Sequence, residues 1–110
     1  MIVIKKKVTG KFSFKLKTQG GHTLLQSVEF IKEEEARNTV RSLNQLSDNN
    51  IRFERKTNHE GMFLFDLKNS GGKLIGHSQL YNSESGMENG IKNLKNTITS
   101  LVNLGELEIF

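Results

Sequence analysis

The chain has no cysteine, so disulfides and thiolate-bound metals are excluded and thiol usage says nothing about redox compartment. It has no apolar run approaching the ~18 residues of a membrane span and no low-complexity tract. The N-terminus places apolar Met1 to Ile4 ahead of the lysines, the reverse of a secretory signal, and cytoplasm is the expectation by elimination. Between Lys5 and Lys17 there is no acid, while six lysines (Lys5, Lys6, Lys7, Lys11, Lys15, Lys17) fall in that stretch. The net charge of +4 is therefore a local feature. Local basicity of this kind suits an anionic partner without specifying one.

What is present is a repeat. The 110 residues fit one domain, and sliding the chain by 51 positions lays Gly10–Gly21 on Gly61–Gly72. From Gly10 onward eleven positions match without a gap: Gly10/Gly61, Phe12/Phe63, Phe14/Phe65, Leu16/Leu67, Lys17/Lys68, Gly20/Gly71, Gly21/Gly72, Ser27/Ser78, Glu33/Glu84, Asn38/Asn89 and Leu43/Leu94. Matches that keep their order at one fixed offset indicate a duplicated unit.

Each copy opens on a strand, because Phe12, Phe14 and Leu16 alternate with Ser13, Lys15 and Lys17, as Phe63, Phe65 and Leu67 do later. The glycine pairs allow a tight hairpin turn into a second strand, residues 23–30 and 74–81. There Leu24, Ser27 and Phe30 recur every third residue, a spacing that a β-bulge reconciles with a strand. A helix follows, with Ala36, Val40 and Leu43 on one stripe and Met87, Ile91, Leu94, Ile98 and Leu101 on the other. Ser83 is a suitable N-cap; its counterpart Lys32 is not, although Glu33, Glu34 and Glu35 favour a helix start. Three further segments alternate apolar with polar residues: Ile2 and Ile4, Ile51 and Phe53, and Leu107 and Ile109. The middle one has neither Gly nor Pro and is no flexible tether.

The pattern Gly-x-Phe-x-Phe-x-Leu-Lys, then Gly, then Ile-x-x-Ser-x-x-Tyr, then Asn-Gly-Ile resembles the YegP-like family, small and mostly bacterial proteins of uncharacterised function. The second copy carries it in Gly61 to Lys68, Gly72, Ile75, Ser78, Tyr81 and Asn89-Gly90-Ile91. The first departs at Leu24, Phe30 and Thr39. The resemblance implies an α+β fold in which two β-β-β-α-β-like repeats fuse into one antiparallel sheet, exchange their terminal strands and pack two helices on one face. The expected domain is 1–110, with repeats of about 1–55 and 51–110 sharing the strand 51–56. The resemblance implies no activity, cofactor or catalytic residue.

The residues select no chemistry either. His22, His59 and His77 have no metal-ligand spacing. Ser27 and Ser78 lack a nucleophile-elbow frame and are read as bonding neighbouring backbone. Gly20-Gly21 and Gly71-Gly72 precede strands, so they are hairpin glycines, not a phosphate cradle. The chain is therefore expected to be no enzyme, to use no cofactor or metal, and to be a monomer with internal pseudo-twofold symmetry. The leading expectation is an interaction or structural module with a protein partner. One alternative is a weak, sequence-tolerant nucleic-acid binder using a basic sheet face of Lys5, Lys7, Lys15, Lys17 and Lys68. Nearly every Phe falls on the opposite parity, so that face lacks a stacking platform. The second alternative is a small-ligand binder at repeat-matched polar sites formed by Ser27 and Asn38 and by Ser78 and Asn89.

Overall fold

A computed structural model describes residues 1–44 and 52–110. The elements are β1 (Ile2–Lys6), β2 (Phe12–Lys17), β3 (Thr23–Ser27), α1 (Glu33–Ser42), β4 (Arg52–Thr57), β5 (Phe63–Lys68), β6 (Leu74–His77), α2 (Glu84–Asn103) and a closing 3-10 turn (Glu106–Ile109). The strands form one sheet in the order β1-β2-β3-β6-β5-β4, with every pair antiparallel. The fold is α+β, and both halves run strand, strand, strand, helix.

Period-two patterning decides which sheet face is covered. Phe14, Leu16 and Leu25 of the first half and Phe65 and Leu67 of the second are fully buried. They meet Ala36, Val40 and Leu43 from α1 and its end, and Met87, Ile91, Leu94, Ile98 and Leu101 from α2, in one core. Both helices thus lie on the same side of the sheet. Ser83 caps α2 by accepting from the Gly86 N–H at 3.0 Å, while Lys32 makes no capping bond.

The expected bulge is present in both halves. Leu16 pairs with Leu25 and Lys17 with Thr23, so Leu24 is the extra residue; Leu67 pairs with Gly76 and Lys68 with Leu74, so Ile75 is its counterpart. The second strands are shorter than the pattern suggests. β3 ends at Ser27, and the chain returns to the sheet through one bridge, Phe12 with Phe30; Phe63 with Tyr81 is its equivalent.

Three expectations need correction. The terminal strands are not exchanged. β1 pairs with β2 from Ile2↔Leu16 to Lys6↔Phe12, and β4 with β5 from Arg52↔Lys68 to Thr57↔Phe63. Tight turns with Gly10 and Gly61 at φ 88° and 79° join these partners, so each pair closes as a local hairpin. Consequently the strand after the first helix is not shared; Arg52–Thr57 serves only the second half, and Ile51 lies outside the described residues. Finally, Leu107 and Ile109 belong to a 3-10 turn. Gly105, at φ 69°, ends α2 in the left-handed conformation, and the chain folds back so that the turn contacts both helices and Leu107 joins the core.

Candidate binding face

Helices cover one face of the sheet, so function is sought on the other face and on the edges. Strand pairing fixes the neighbours on the open face, because directly paired residues share a side. One row crosses all six strands: Val3, Lys15, Gln26, His77, Asp66, Glu54. Lys5, Lys17, Lys56 and Lys68 flank it from β1, β2, β4 and β5.

The two halves of this face differ in charge. In the second half Lys68 reaches Glu54 at 2.6 Å, and Lys56 lies 2.6 Å from Asp66 and 3.5 Å from Glu54. The hydrogen bond and positive charge of Lys68, assisted by Lys56, hold the Glu54 carboxyl below the usual glutamate range. Asp66, by hydrogen bond and charge, raises the Lys56 ammonium above the usual lysine range. The positions 51 residues earlier are Val3 for Glu54, Lys5 for Lys56, Lys15 for Asp66 and Lys17 for Lys68. Both carboxylates are gone. Lys5, Lys15 and Lys17 make no ion pair among the described residues, while Lys7 has only a distant one with Glu29 at 3.9 Å. The basic face read from sequence thus contracts to the first half, and Lys68 belongs to a balanced cluster.

The repeat-matched polar residues are dispersed. Ser27 is buried, accepts from the Phe14 N–H at 2.8 Å and donates to the Val28 carbonyl at 2.8 Å. Ser78 does the same between Phe65 at 2.9 Å and Gln79 at 2.8 Å. Each hydroxyl replaces a main-chain rung, which is why β3 and β6 stop beside it. Asn38 is exposed and bonds Arg41 on its own helix, and Asn89 is also exposed. Serine and asparagine therefore occupy different environments in each half. His22, His59 and His77 are exposed, and among the described residues no three His, Asp or Glu side chains gather as a metal site.

The sheet edges also differ, which the sequence pattern left unread. On β4, Arg55 forms an ion pair with Glu88 of α2, and Lys95 of α2 lies 5.1 Å from the centre of the Phe53 ring. On β1 the equivalents are Ile2 and Ile4. Beside Ile2 opens a groove of about 870 Å³ between the β2–β3 turn and the C-terminal end of α2, with Met1, Leu101, Leu104, Ile109 and Phe110 in its walls. Leu104 and Ile109 are 69% and 77% exposed. The offset that aligns the halves already contained the signal for both asymmetries, since Val3 lies over Glu54, Lys15 over Asp66 and Ile4 over Arg55.

A pseudo-symmetric sheet with helices on one side and an open, half-basic face on the other defines a class of small α+β domain, and known proteins share it. Residues 58–100, in the second half, match a family described as a domain of unknown function, DUF1508. The UPF0339 protein in the ptx operon 5′ region of Stutzerimonas stutzeri is 33% identical over 79% of this chain and 78% of its own length. UPF0339 protein YegP of Escherichia coli K12 is 33% identical over 88% of each chain. The solution NMR structure of E. coli YegP, titled a protein of unknown function, superposes with a TM-score of 0.76 at 31% identity, over 87% of this chain and 83% of its own. That of SO3888 from Shewanella oneidensis gives 0.76 at 26% identity, over 86% and 80%. The chain belongs to the UPF0339, YegP-like family.

Proposed function

We propose that the chain is a non-enzymatic cytoplasmic interaction module, a tandem repeat working as a monomer, that binds a protein partner through the first half of its open face and the adjoining edge. One observation carries this reading: Lys5, Lys15 and Lys17 make no ion pair among the described residues, where the second half balances the same region with Glu54 and Asp66. Unpaired charge on an uncovered face steers an oppositely charged partner and fixes its orientation. In addition, no helix among the described residues is long and apolar enough to cross a membrane.

The same lysines favour a second reading, a sequence-tolerant nucleic-acid binder. Stacking counts against it, because Phe12, Phe14, Phe63 and Phe65 point to the helix side of the sheet. Isotope-labelled protein titrated with polyglutamate, and separately with single- and double-stranded oligonucleotides, distinguishes the two. The module reading expects polyglutamate to shift amides of β1 and β2 at physiological salt, and Lys15→Glu with Lys17→Glu to abolish the response. Oligonucleotide shifts on those strands that fade steeply with salt would transfer the face to nucleic acid. Silence with every probe would end both readings.

A further inference from the structure

We infer that the outer edge of β1 accepts an extended peptide of alternating apolar and acidic residues as a seventh strand of the sheet. This rests on the module reading and names the partner's chemistry. The backbone supplies the first argument. The Lys17 N–H donates to Met1 and the Lys7 N–H to Lys11, and antiparallel bonding alternates between these fixed points. Met1, Val3, Lys5 and Lys7 therefore direct their N–H and C=O groups to β2. Ile2, Ile4 and Lys6 turn theirs outward, about 6.7 Å apart, as a row of donors and acceptors that bond no other described residue. Such a row is a template for strand addition.

The other edge is protected. At its outward positions Arg55 pairs with Glu88 and the Lys95 ammonium lies over the Phe53 ring, and the strand reads Arg-Phe-Glu-Arg-Lys-Thr. Charge on an edge strand blocks pairing. The Ile-Val-Ile portion of β1 has no such device.

Side-chain alternation then sets the partner's sequence. Residues opposite Ile2 and Ile4 would face the helix side and continue into the apolar groove of Met1, Leu104, Ile109 and Phe110. Residues opposite Val3 and Lys5 would face the open side, beside Lys5 and near Lys15 and Lys17. Apolar groups fit the first set and carboxylates the second. A second copy of the chain fits poorly, because it brings another +4 and its own Lys5–Lys7 run to the same edge.

The test uses the full chain, isotope-labelled, at physiological salt, with an acetylated peptide of alternating valine and glutamate. Controls are a peptide of the same composition in separate valine and glutamate blocks, an alternating valine–lysine peptide and a single-stranded oligonucleotide. The expected result is saturable binding of the alternating acidic peptide, with slowed hydrogen exchange at the Ile2, Ile4 and Lys6 amides and shifts reaching Ile109 and Phe110. Lys5→Glu with Lys15→Glu leaves the backbone row intact and should weaken binding about tenfold or more, while admitting the valine–lysine peptide. Ile4→Pro removes one outward N–H and should abolish protection. Equal binding of the block peptide, or shifts on the open face without protection of Ile2, Ile4 and Lys6, overturns strand addition and leaves the module reading standing. No response to any peptide overturns strand addition and removes its support from that reading. Protection by the oligonucleotide alone replaces both. Free protein sedimenting as a dimer with these amides already protected makes the edge a self-interface and overturns the inference.

Discussion

Ser27 and Ser78 each stand where a ladder rung is missing, and their loss is predictable from that role. Ser27→Ala would strand the buried Phe14 N–H and Ser78→Ala that of Phe65. Each should cost about 1–3 kcal/mol, measured as a lowered midpoint in urea unfolding with unchanged slope. The serines were legible because they match at a fixed offset on strands and have no catalytic frame. A second pair was visible only in part. The first half departs from the repeat pattern at Phe30 and Thr39, and the equivalent residues of the second half, Tyr81 and Gly90, lie against each other. The Tyr81 hydroxyl is buried without a hydrogen-bond partner among the described residues, and a Cβ on Gly90 would lie 2.2 Å from it. Phe30, at the equivalent position, has no hydroxyl, and its ring stacks on Phe14 at 6.2 Å; Thr39 takes the glycine's place and donates to the Glu35 carbonyl. Gly90→Thr alone should therefore destabilise the protein by about 1–3 kcal/mol through overpacking. Tyr81→Phe added to it should recover part of that loss, and equal, additive effects in a double-mutant cycle would refute the coupling. Sequence pattern names drifted positions, but the contact between them spans nine residues and a change of element.

At the scale of elements, the weak join is between β3 and β6, where the halves meet through Gln26↔His77 and Ser27↔Gly76. A Cβ on Gly76 would lie 2.4 Å from the Gln26 carbonyl oxygen and 2.9 Å from the Ser27 Cα. Backbone atoms inside a sheet have little room to withdraw. Gly76→Ala should cost about 3 kcal/mol, the upper part of the overpacking range, and should deprotect the Val28 amide, which donates to Ile75 across the join. Nothing in the spacing marked Gly76, because the first half carries Leu25 there and the repeat does not state which strands become neighbours. The bulges at Leu24 and Ile75 were legible, since a three-residue spacing conflicts with a strand on any other terms. The β4–β5 charge cluster predicts a pH response confined to one half. Glu54 is held below the usual glutamate range by Lys68 and then Lys56. Its contribution is present at neutral pH and is lost as pH falls through the ordinary glutamate range into the depressed one. Lys56, raised by Asp66, contributes below the usual lysine range and loses that contribution as pH rises through the raised one. Acid should therefore loosen β4 before β1, with Glu54 titrating below the usual glutamate range by carboxyl NMR, and high salt should move it back toward that range. Simultaneous loosening of both edges would argue against the cluster.

For the whole molecule, the two halves are similar in backbone and unequal in what completes them. α1 has 10 residues and α2 has 20, so the second helix overhangs its own half. The chain then turns at Gly105 and returns across both helices, where Leu107 is 3% exposed. The alternation of Leu107 and Ile109 suggested a strand because two apolar residues spaced by two fit that period. In a segment this short the same spacing also fits a tight turn, and a left-handed glycine just before it decides the outcome. The consequence for stability is concrete. Ending the chain after Asn103 removes core packing and no sheet pairing. Loss of Leu107 burial should cost about 1.5–3 kcal/mol, and Leu107→Ala about 2 kcal/mol or more with its cavity. Amide protection in β4 and β5 should persist in both proteins at temperatures below the lowered melting transition. Preferential loss of β-sheet protection on truncation would instead restore a strand role for the C-terminal segment, whereas an unchanged melting transition would show that Leu107 does not contribute to the core. The same asymmetry leaves Leu104 and Ile109 exposed beside β1, so the turn that closes the core also builds one wall of the groove next to the unprotected edge.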